Sequence, residues 1–134
     1  MPISQAELEA LAAFRYTLRQ FLAFSDQAAR AVGLTPRQHQ ALLSLQGIPG
    51  RHALTISEFA ERLQIRPHSA VGLVNRLVAL RLLRRVAGRA DRRQVFVRLT
   101  PAGARLLESL SEAHRAELRR LGPQLLRLFS DLGL

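Results

Sequence analysis

Apolar residues recur at three- and four-residue intervals over the first thirty positions, which is the spacing of an amphipathic helix. Ser4 precedes this run in the position of an N-cap, and Gly33 follows it as a stop signal. The pattern therefore predicts a helix from Ser4 to about Val32. Its apolar positions are Leu8, Leu11, Leu18, Phe21, Leu22 and Ala28.

More than one side of this predicted helix is apolar. Phe14, Leu18, Phe21 and Phe24 spread around the helix axis, whereas a surface helix needs only one buried stripe. We expect the helix to pack against two separate partners, one of which can be a second subunit.

Start and stop signals predict three shorter helices after the first one. Thr35 as N-cap and Pro36 at the first helical position begin the earliest of them, and the Gly-Ile-Pro-Gly sequence at 47–50 ends it.

The other two short helices are separated by only three residues. Thr55 and Glu58 have the spacing of a capping box for a helix that ends near residue 63. After the turn at 64–66, a further helix extends from residue 67 to about 80, with proline at its first position.

The hydrophobic period changes to two between residues 81 and 99. Val95, Val97 and Leu99 alternate with polar and aromatic neighbours, as in a strand, and residues 83–86 can pair with them across a turn that contains Gly88. A β-hairpin is therefore predicted. Near its tip lie Arg89, Asp91, Arg92 and Arg93.

A second Leu-Thr-Pro sequence, at 99–101, begins a leucine-rich helix. Gly122 and Pro123 then predict a break, followed by a short tail helix. The predicted fold class is mainly α with one small β-hairpin.

Composition agrees with a helical fold and excludes several kinds of chemistry. Of the 134 residues, 48% are hydrophobic but only 5% are aromatic, and leucine and alanine dominate. The absence of cysteine excludes disulfides, thiol redox sensing and cysteine-ligated zinc. Because no apolar run approaches the roughly 20 residues of a membrane span and the N-terminus does not resemble a signal peptide, we expect a cytoplasmic protein without a membrane partner.

Half of the positive charge lies in one short window. Ten of the 20 basic residues fall between Arg62 and Arg98 with Asp91 as the single acid, whereas the rest of the chain holds ten bases and nine acids. All 20 are arginines, which a GC-rich genome would explain, but codon usage does not explain the cluster. Such a concentration of one sign of charge indicates a nucleic-acid partner.

Two short helices followed by a basic hairpin have the order of a winged helix-turn-helix, in which the second helix enters the major groove. A helical wheel of 67–80 gives an inward face formed by Ala70, Leu73, Val74, Leu77 and Leu80. The outward face and its flanks are small and polar, without an acid. Taken alone, this pattern favours an ordinary amphipathic surface helix, but its place beside the arginine-rich hairpin favours DNA. Within the hairpin tip, Asp91 is expected to bond one arginine and leave the others free.

The run from Leu34 to Gly103 resembles the DNA-binding lobe of the MarR family of bacterial regulators. The hairpin sequence Asp91-Arg92-Arg93 and the sequence VRLTPAG at 97–103 are specific at this spacing, whereas the helix-turn-helix alone is not. The other matching segments are Leu34-Thr35 with Gln38, LTISEFAERLQI at 54–65 and LVNRLVALRLLRR at 73–85.

The resemblance implies one domain, in which residues 34–100 form the DNA-binding lobe and residues 1–33 and 101–134 form dimerisation helices. It further implies a homodimer that binds a pseudo-palindromic operator in double-stranded DNA, acts as a repressor and is released by a small aromatic ligand. The DNA-contacting residues would be Arg66, Pro67, His68, Ser69, Val71, Gly72, Asn75 and Arg76 on the helix, and Arg85, Arg89, Asp91, Arg92 and Arg93 on the wing. Candidate ligand-pocket residues are Phe14, Tyr16, Phe21 and His39.

Two positions depart from the family pattern. Arg81 stands where many relatives have glycine at a helix C-terminus, and a left-handed arginine costs roughly 1 kcal/mol, so a different helix end is an alternative. Arg66 stands where a Ser, Thr, Asn or Asp cap is expected, and a cation at that helix end is unfavourable unless it faces a phosphate. We therefore interpret Arg66 as a DNA-backbone contact.

The sequence does not favour an enzyme, a cofactor or a metal site. The four histidines lack metal-ligand spacing, and His114 is better explained as a core or interface residue with one satisfied nitrogen. No nucleophile elbow, phosphate-binding loop or close acid pair occurs. The alternative from another class is an architectural protein that binds nucleic acid without sequence preference and without an effector.

Overall fold

The computed structural model describes all residues from Met1 to Leu134 and contains five α-helices and three short β-strands. The helices are α1 (Gln5–Ala31), α2 (Pro36–Gln46), α3 (Ile56–Leu63), α4 (Pro67–Ala79) and α5 (Pro101–Asp131). The strands are β1 (Leu54–Thr55), β2 (Leu83–Ala87) and β3 (Val95–Leu99). The mainly α fold with a hairpin is therefore confirmed.

Capping boxes begin the first three helices where the sequence predicts them. Ser4, Thr35 and Thr55 each accept a hydrogen bond from the backbone N–H three residues later, and the Glu or Gln at that position accepts one in return. These bonds satisfy two of the four free N–H groups of each first turn.

The sheet has one strand more than the predicted hairpin. β3 lies in the middle, antiparallel to β2 on one side and to β1 on the other, with Leu54 opposite Val97 and Val86 opposite Phe96. The strand β1 escaped prediction because two residues are too few to show a period.

Two compact units make up the chain, one formed by residues 33–109 and the other by residues 1–32 together with 110–134. The first unit holds the larger core, in which α2, α3, α4 and the sheet meet. Its largest fully buried side chains are Leu42, Leu45, Leu54, Phe59, Val74, Leu77, Leu83 and Val97.

The second unit, formed by α1 and the later part of α5, buries few large side chains. His114 lies between the helices, where its Nδ1 is 2.7 Å from the Leu110 carbonyl oxygen and its Nε2 is 2.8 Å from Ser25 Oγ. The rings of Phe21 and Phe24 meet the imidazole edge-on. The expectation that His114 has one satisfied nitrogen was wrong, because both ring nitrogens have partners.

Helix α5 continues through Pro123 to Asp131, so the predicted break at Gly122 and the separate tail helix were wrong. A proline clashes with the backbone N–H and the Cβ of the preceding residue, and glycine lacks the Cβ. Leu121 and Leu128 are buried on either side of this point, and their packing favours a continuous helix.

The way in which α4 ends explains why Leu80 is exposed and why Arg81 has a positive φ. Leu80 is 50% exposed, which corrects its assignment to the inward face, because it is the C-cap and the chain turns away there. Arg81 adopts φ +61°, and the bonds Arg81 N–H to Val78 O and Leu82 N–H to Leu77 O form a Schellman motif. Glycine is thus replaced by a left-handed arginine, not by a different helix end.

Thr100 secures this turn from the start of α5. Its hydroxyl donates to the Arg81 carbonyl oxygen at 2.7 Å, and its N–H donates to the Leu82 carbonyl oxygen at 3.0 Å. A Cβ at Gly103 would lie 2.1 Å from Leu82 O, so the close approach requires glycine. None of the helices combines the length and the apolarity of a membrane span.

Candidate nucleic-acid interface

Helix α4 has one buried and one exposed face. Ala70, Leu73, Val74 and Leu77 are buried against the core of their unit. The exposed face carries the residues predicted from the helical wheel, of which Gly72 is half-buried and the others are exposed: Pro67, His68, Ser69, Val71, Gly72, Asn75 and Arg76.

Arg66 is the N-cap of α4 and gives the helix no side-chain cap. Its backbone is extended, and Pro67 follows at the first helical position. The free N–H groups and the positive end of the helix dipole therefore lie beside an exposed guanidinium, an arrangement that attracts an anion from outside the chain.

A groove of about 310 Å³ runs along the first turns of α4. Arg76 lies beside Gly72, since a Cβ built there would be 3.6 Å from Arg76 Nη2. Arg37 of α2 also lines the groove, together with His68 and Ser69. The sequence analysis missed Arg37 because it lies outside the basic window, and only the fold brings α2 next to α4.

Asn75 is joined to the wing. Its Oδ1 accepts a hydrogen bond from Nη2 of Arg85, which lies on β2. Because a guanidinium only donates, the oxygen of the amide must face Arg85, and the NH₂ group is left to face elsewhere. The contact connects two predicted site residues that are ten positions apart and belong to different elements.

The tip of the hairpin is organised around Asp91. Asp91 Oδ1 accepts from the Arg93 N–H at 3.0 Å and from Arg93 Nε at 3.3 Å. The backbone bond first, and the guanidinium second, hold the pKa of the Asp91 carboxyl below its ordinary value. A Cβ at Gly88 would lie 2.5 Å from Asp91 O, so this turn also requires glycine.

The other tip arginines make no ion pair within the chain. Only three salt bridges are present, and the tip contributes one of them, between Arg93 and Asp91. Arg89 and Arg92 are exposed and available to an external anion. This division agrees with the expectation that Asp91 holds one arginine.

The candidate ligand-pocket residues lie in different surroundings. The ring of Phe14 packs at 5.9 Å from that of Phe129, Phe21 contacts His114, and Tyr16 is 58% exposed. His39 is buried in α2 within the other unit. Their role as a pocket stays a prediction.

No three His, Asp or Glu side chains lie close enough together to hold a metal ion. Arg51 and Glu58 form a bidentate pair at 2.6 and 3.0 Å, but Glu58 also accepts from the Thr55 N–H and so belongs to the cap of α3.

The sequence profile of the MarR family matches residues 32–94. This range includes α2, α3, α4, β2 and the tip of the hairpin, which contain all of the predicted DNA contacts. No curated protein sequence matches the chain significantly.

Solved structures with the same fold cover nearly the whole chain. The YusO protein of Bacillus subtilis is 22% identical, with 98% of both chains covered and a TM-score of 0.74. AbsC of Streptomyces coelicolor, a MarR family transcriptional regulator, is 22% identical over 90% of this chain and 80% of its own, with a TM-score of 0.69.

A complex of S. aureus MepR with DNA is also similar, at 22% identity over 92% of this chain and 86% of that one, with a TM-score of 0.68. The family's sequence profile matches the central lobe and its fold extends over nine tenths of the residues. The chain is therefore similar to the MarR family in the sequence of its central lobe and in its fold.

Proposed function

We propose that this protein is a homodimeric repressor of transcription that recognises a pseudo-palindromic operator in double-stranded DNA. The observation that carries the proposal is the charge of the unit formed by residues 33–109, where thirteen arginines stand against four acids. Ten of these arginines lie between Arg62 and Arg98, on or next to α4 and the hairpin. Those two elements contact DNA in winged helix-turn-helix proteins.

Affinity and sequence specificity come from two different kinds of contact. Arg66, Arg89 and Arg92 bind phosphates or a narrow minor groove and supply affinity that depends on salt. Val71 and Asn75 face bases in the major groove, where a methyl group suits thymine and an amide suits a polar base edge. MepR, which shares the fold, has been crystallised with DNA, and this supports the assignment.

The second unit supports the homodimer. Eleven of the fifteen exposed large hydrophobic side chains lie in residues 1–32 and 110–134, among them Leu22, Leu118 and Leu126. A pair of helices cannot bury so much apolar surface by itself, and a second copy of the chain would cover it.

Repression and release complete the proposal. A dimer bound to an operator that overlaps a promoter excludes RNA polymerase, and a small aromatic ligand would lower its affinity for DNA. A ligand present at 100 times its Kd adds about 2.7 kcal/mol of stability, so a thermal-shift screen of aromatic acids and phenols would identify it.

The test is a footprint on genomic DNA in excess competitor, followed by salt titrations of binding. We expect protection of one palindrome with half-sites about one helical turn apart. Arg66→Ala and Arg92→Ala should weaken binding to all sequences and lower the salt slope by about 1 for each phosphate that the variant no longer binds. Arg30→Ala, an exposed arginine of α1, is the matched control and should change neither.

The second candidate is a sequence-tolerant architectural protein, which the arginine excess alone would also fit. It predicts uniform coverage of DNA and loss of binding at high salt, since phosphate contacts decay with salt whereas base contacts do not. Uniform coverage would reject the operator-specific repressor in favour of this candidate.

A further inference from the structure

Arg37 and Arg76 line one groove, although they belong to different helices, α2 and α4. The groove has a volume of about 310 Å³, and we call it the α2–α4 groove. No acid lines it, and neither arginine forms a salt bridge or a side-chain hydrogen bond. Both guanidinium groups are exposed and therefore available to an anion from outside the chain.

Gly72 leaves room for the Arg76 side chain to lie back along α4. A Cβ built at Gly72 would be 3.6 Å from Nη2 of Arg76, which is ordinary van der Waals contact. Long side chains on a helix point towards its N-terminus, so the guanidinium lies over the preceding turn. A side chain larger than that of alanine at position 72 would meet the guanidinium and displace it from the groove.

The α2–α4 groove lies beside the row of residues that is proposed to face bases. Val71 and Asn75 form that row, whereas Gly72 and Arg76 form a second row about 100° further round the helix. The first row is joined to the wing by the bond between Asn75 and Arg85, and the second row faces the groove that α2 shares. When α4 lies in the major groove, a row beside the base-facing row meets one of the two backbones that border it.

We propose that Arg37 and Arg76 together bind a single phosphate of the DNA backbone at the edge of the major groove. This inference rests on the proposed function, and it adds α2 to α4 and the hairpin as a third element that contacts DNA. One phosphate accepts charge-assisted hydrogen bonds from both guanidinium groups and offsets their mutual repulsion. Arg76 therefore supplies affinity and fixes the position of α4 along the backbone, and it does not read a base.

The salt dependence of binding to a short duplex of arbitrary sequence tests whether the two arginines share a phosphate. Each phosphate that a protein neutralises contributes about 0.9 to the salt slope. Arg37→Gln and Arg76→Gln should each weaken binding up to about tenfold but lower the slope by less than about 0.5, because the other arginine still binds the phosphate. The double variant should lower the slope by about 0.9, whereas Arg30→Gln, at an exposed position of α1, should not change it.

Other outcomes of the same titrations would overturn the proposal. Losses of about 0.9 in each single variant and about 1.8 in the double variant would mean that the arginines bind two separate phosphates. Unchanged slopes would mean that the groove does not contact DNA. If, in addition, millimolar inorganic phosphate shifted the amide signals of Ser69 and Gly72 in the free protein, the groove would be a site for a free anion instead.

Variants at Gly72 test how Arg76 reaches the groove. Gly72→Ala should raise the melting temperature, because glycine weakens a helix interior, and should keep DNA affinity within about twofold of the wild type. Gly72→Leu should lower the affinity as much as Arg76→Gln does. In the Arg76→Gln background Gly72→Leu should have no further effect, and an equal loss there would mean that the leucine obstructs DNA directly.

These results can be separated from those that test the operator. If all sequences were bound equally while the double variant lost about 0.9 in slope, the operator-specific repressor would fail and the phosphate contact would stand. If a footprint showed one palindrome but the slopes did not depend on Arg37 or Arg76, only the phosphate contact would be rejected. On such an operator, replacement of one phosphate in each half-site by an uncharged methylphosphonate should weaken binding by the wild type but not by the double variant.

Discussion

The hydrogen-bond donors and acceptors on the exposed face of α4 depend on single side chains. An asparagine with both amide atoms free can bond adenine in a bidentate manner, because it both donates and accepts. In this protein Arg85 donates to the Asn75 oxygen and competes with a base for it, whereas the NH₂ group has no such competitor. A lone donor matches two acceptors on guanine, O6 and N7, and one on thymine, O4, whereas adenine offers it N7 but leaves the N6 donor without a partner.

In the proposed complex with DNA, we therefore expect the wild type to prefer guanine or thymine at the base nearest Asn75. Arg85→Ala frees the oxygen and should shift the preference at that position towards adenine by about tenfold. Selection of binding sites from a randomised duplex measures the change. Arg84→Ala is the matched control, because Arg84 lies next to Arg85 on β2 but on the other face of the sheet. An unchanged preference for Arg85→Ala would contradict the role given to this bond.

The Arg51 and Glu58 pair makes stability depend on pH. The hydrogen bond from Arg51, followed by that from the Thr55 N–H, lowers the pKa of Glu58 from 4.5 to about 2. A carboxyl with a depressed folded-state pKa stabilises the fold above its unfolded pKa and loses that contribution as the pH falls through the folded value.

Glu58→Gln should therefore be less stable than the wild type at pH 7, and the difference should shrink between about pH 5 and pH 2. Urea unfolding at pH 7 and pH 3 measures it. Glu61→Gln is the control, because Glu61 lies on the same helix and forms no salt bridge. Since both partners of the pair are more than a third exposed, the effect should be small and weaken with salt. A difference that does not vary with pH would mean that the ion pair contributes nothing.

In two of the helices, tertiary contacts determine the local conformation against the preference of the sequence. Pro123 is a strong stop signal in sequence, yet α5 passes through it, because Gly122 reduces the steric cost and the buried leucines on either side need one helix. The end of α4 is the second example, since the Schellman bonds and Thr100 hold Arg81 at a positive φ that an arginine otherwise avoids.

Replacement of Arg81 by glycine tests this strain. Glycine adopts positive φ without a Cβ penalty, so Arg81→Gly should stabilise the fold by about 1 kcal/mol, which corresponds to a few degrees in Tm. Arg81→Ala removes the charge but keeps the strain and serves as the control. If both variants gained equal stability, charge repulsion and not backbone strain would be the cause.

The whole molecule combines a basic unit with a nearly neutral one. Residues 1–32 and 110–134 contain seven arginines and six acids, whereas the unit of residues 33–109 holds nearly all the net charge. The neutral unit carries most of the exposed apolar side chains instead. This separation of charge and apolar surface is consistent with the proposed function, in which one unit forms the dimer interface and the other binds DNA.

Leu126→Glu should therefore convert the proposed dimer into a monomer, because Leu126 is 69% exposed on α5 and a charge cannot be buried there without a partner. Light scattering after size exclusion measures the oligomeric state. Val95→Glu, an equally drastic change at an exposed position of the wing, should leave it unchanged. A dimer that survives Leu126→Glu would place the dimer interface elsewhere.

The helix starts, their caps, the hairpin and the basic window could be predicted from the sequence alone, because they follow from local spacing and from residue chemistry. Thr35 with Gln38 and Thr55 with Glu58 are examples, since the partners of each bond are three residues apart. The exposed face of α4 was predictable for the same reason, as a helix repeats every 3.6 residues.

Contacts between distant residues could not be predicted in this way and are known only from the folded structure. The pairing of β1 with β3, the position of Arg37 beside α4 and the bond between Asn75 and Arg85 have no local signature. Each of these contacts depends on the relative orientation of helices and strands that are distant in sequence, and that orientation is set by how their side chains pack. For the same reason α5 runs through Pro123, since burial of leucines on both sides outweighs a local preference to stop.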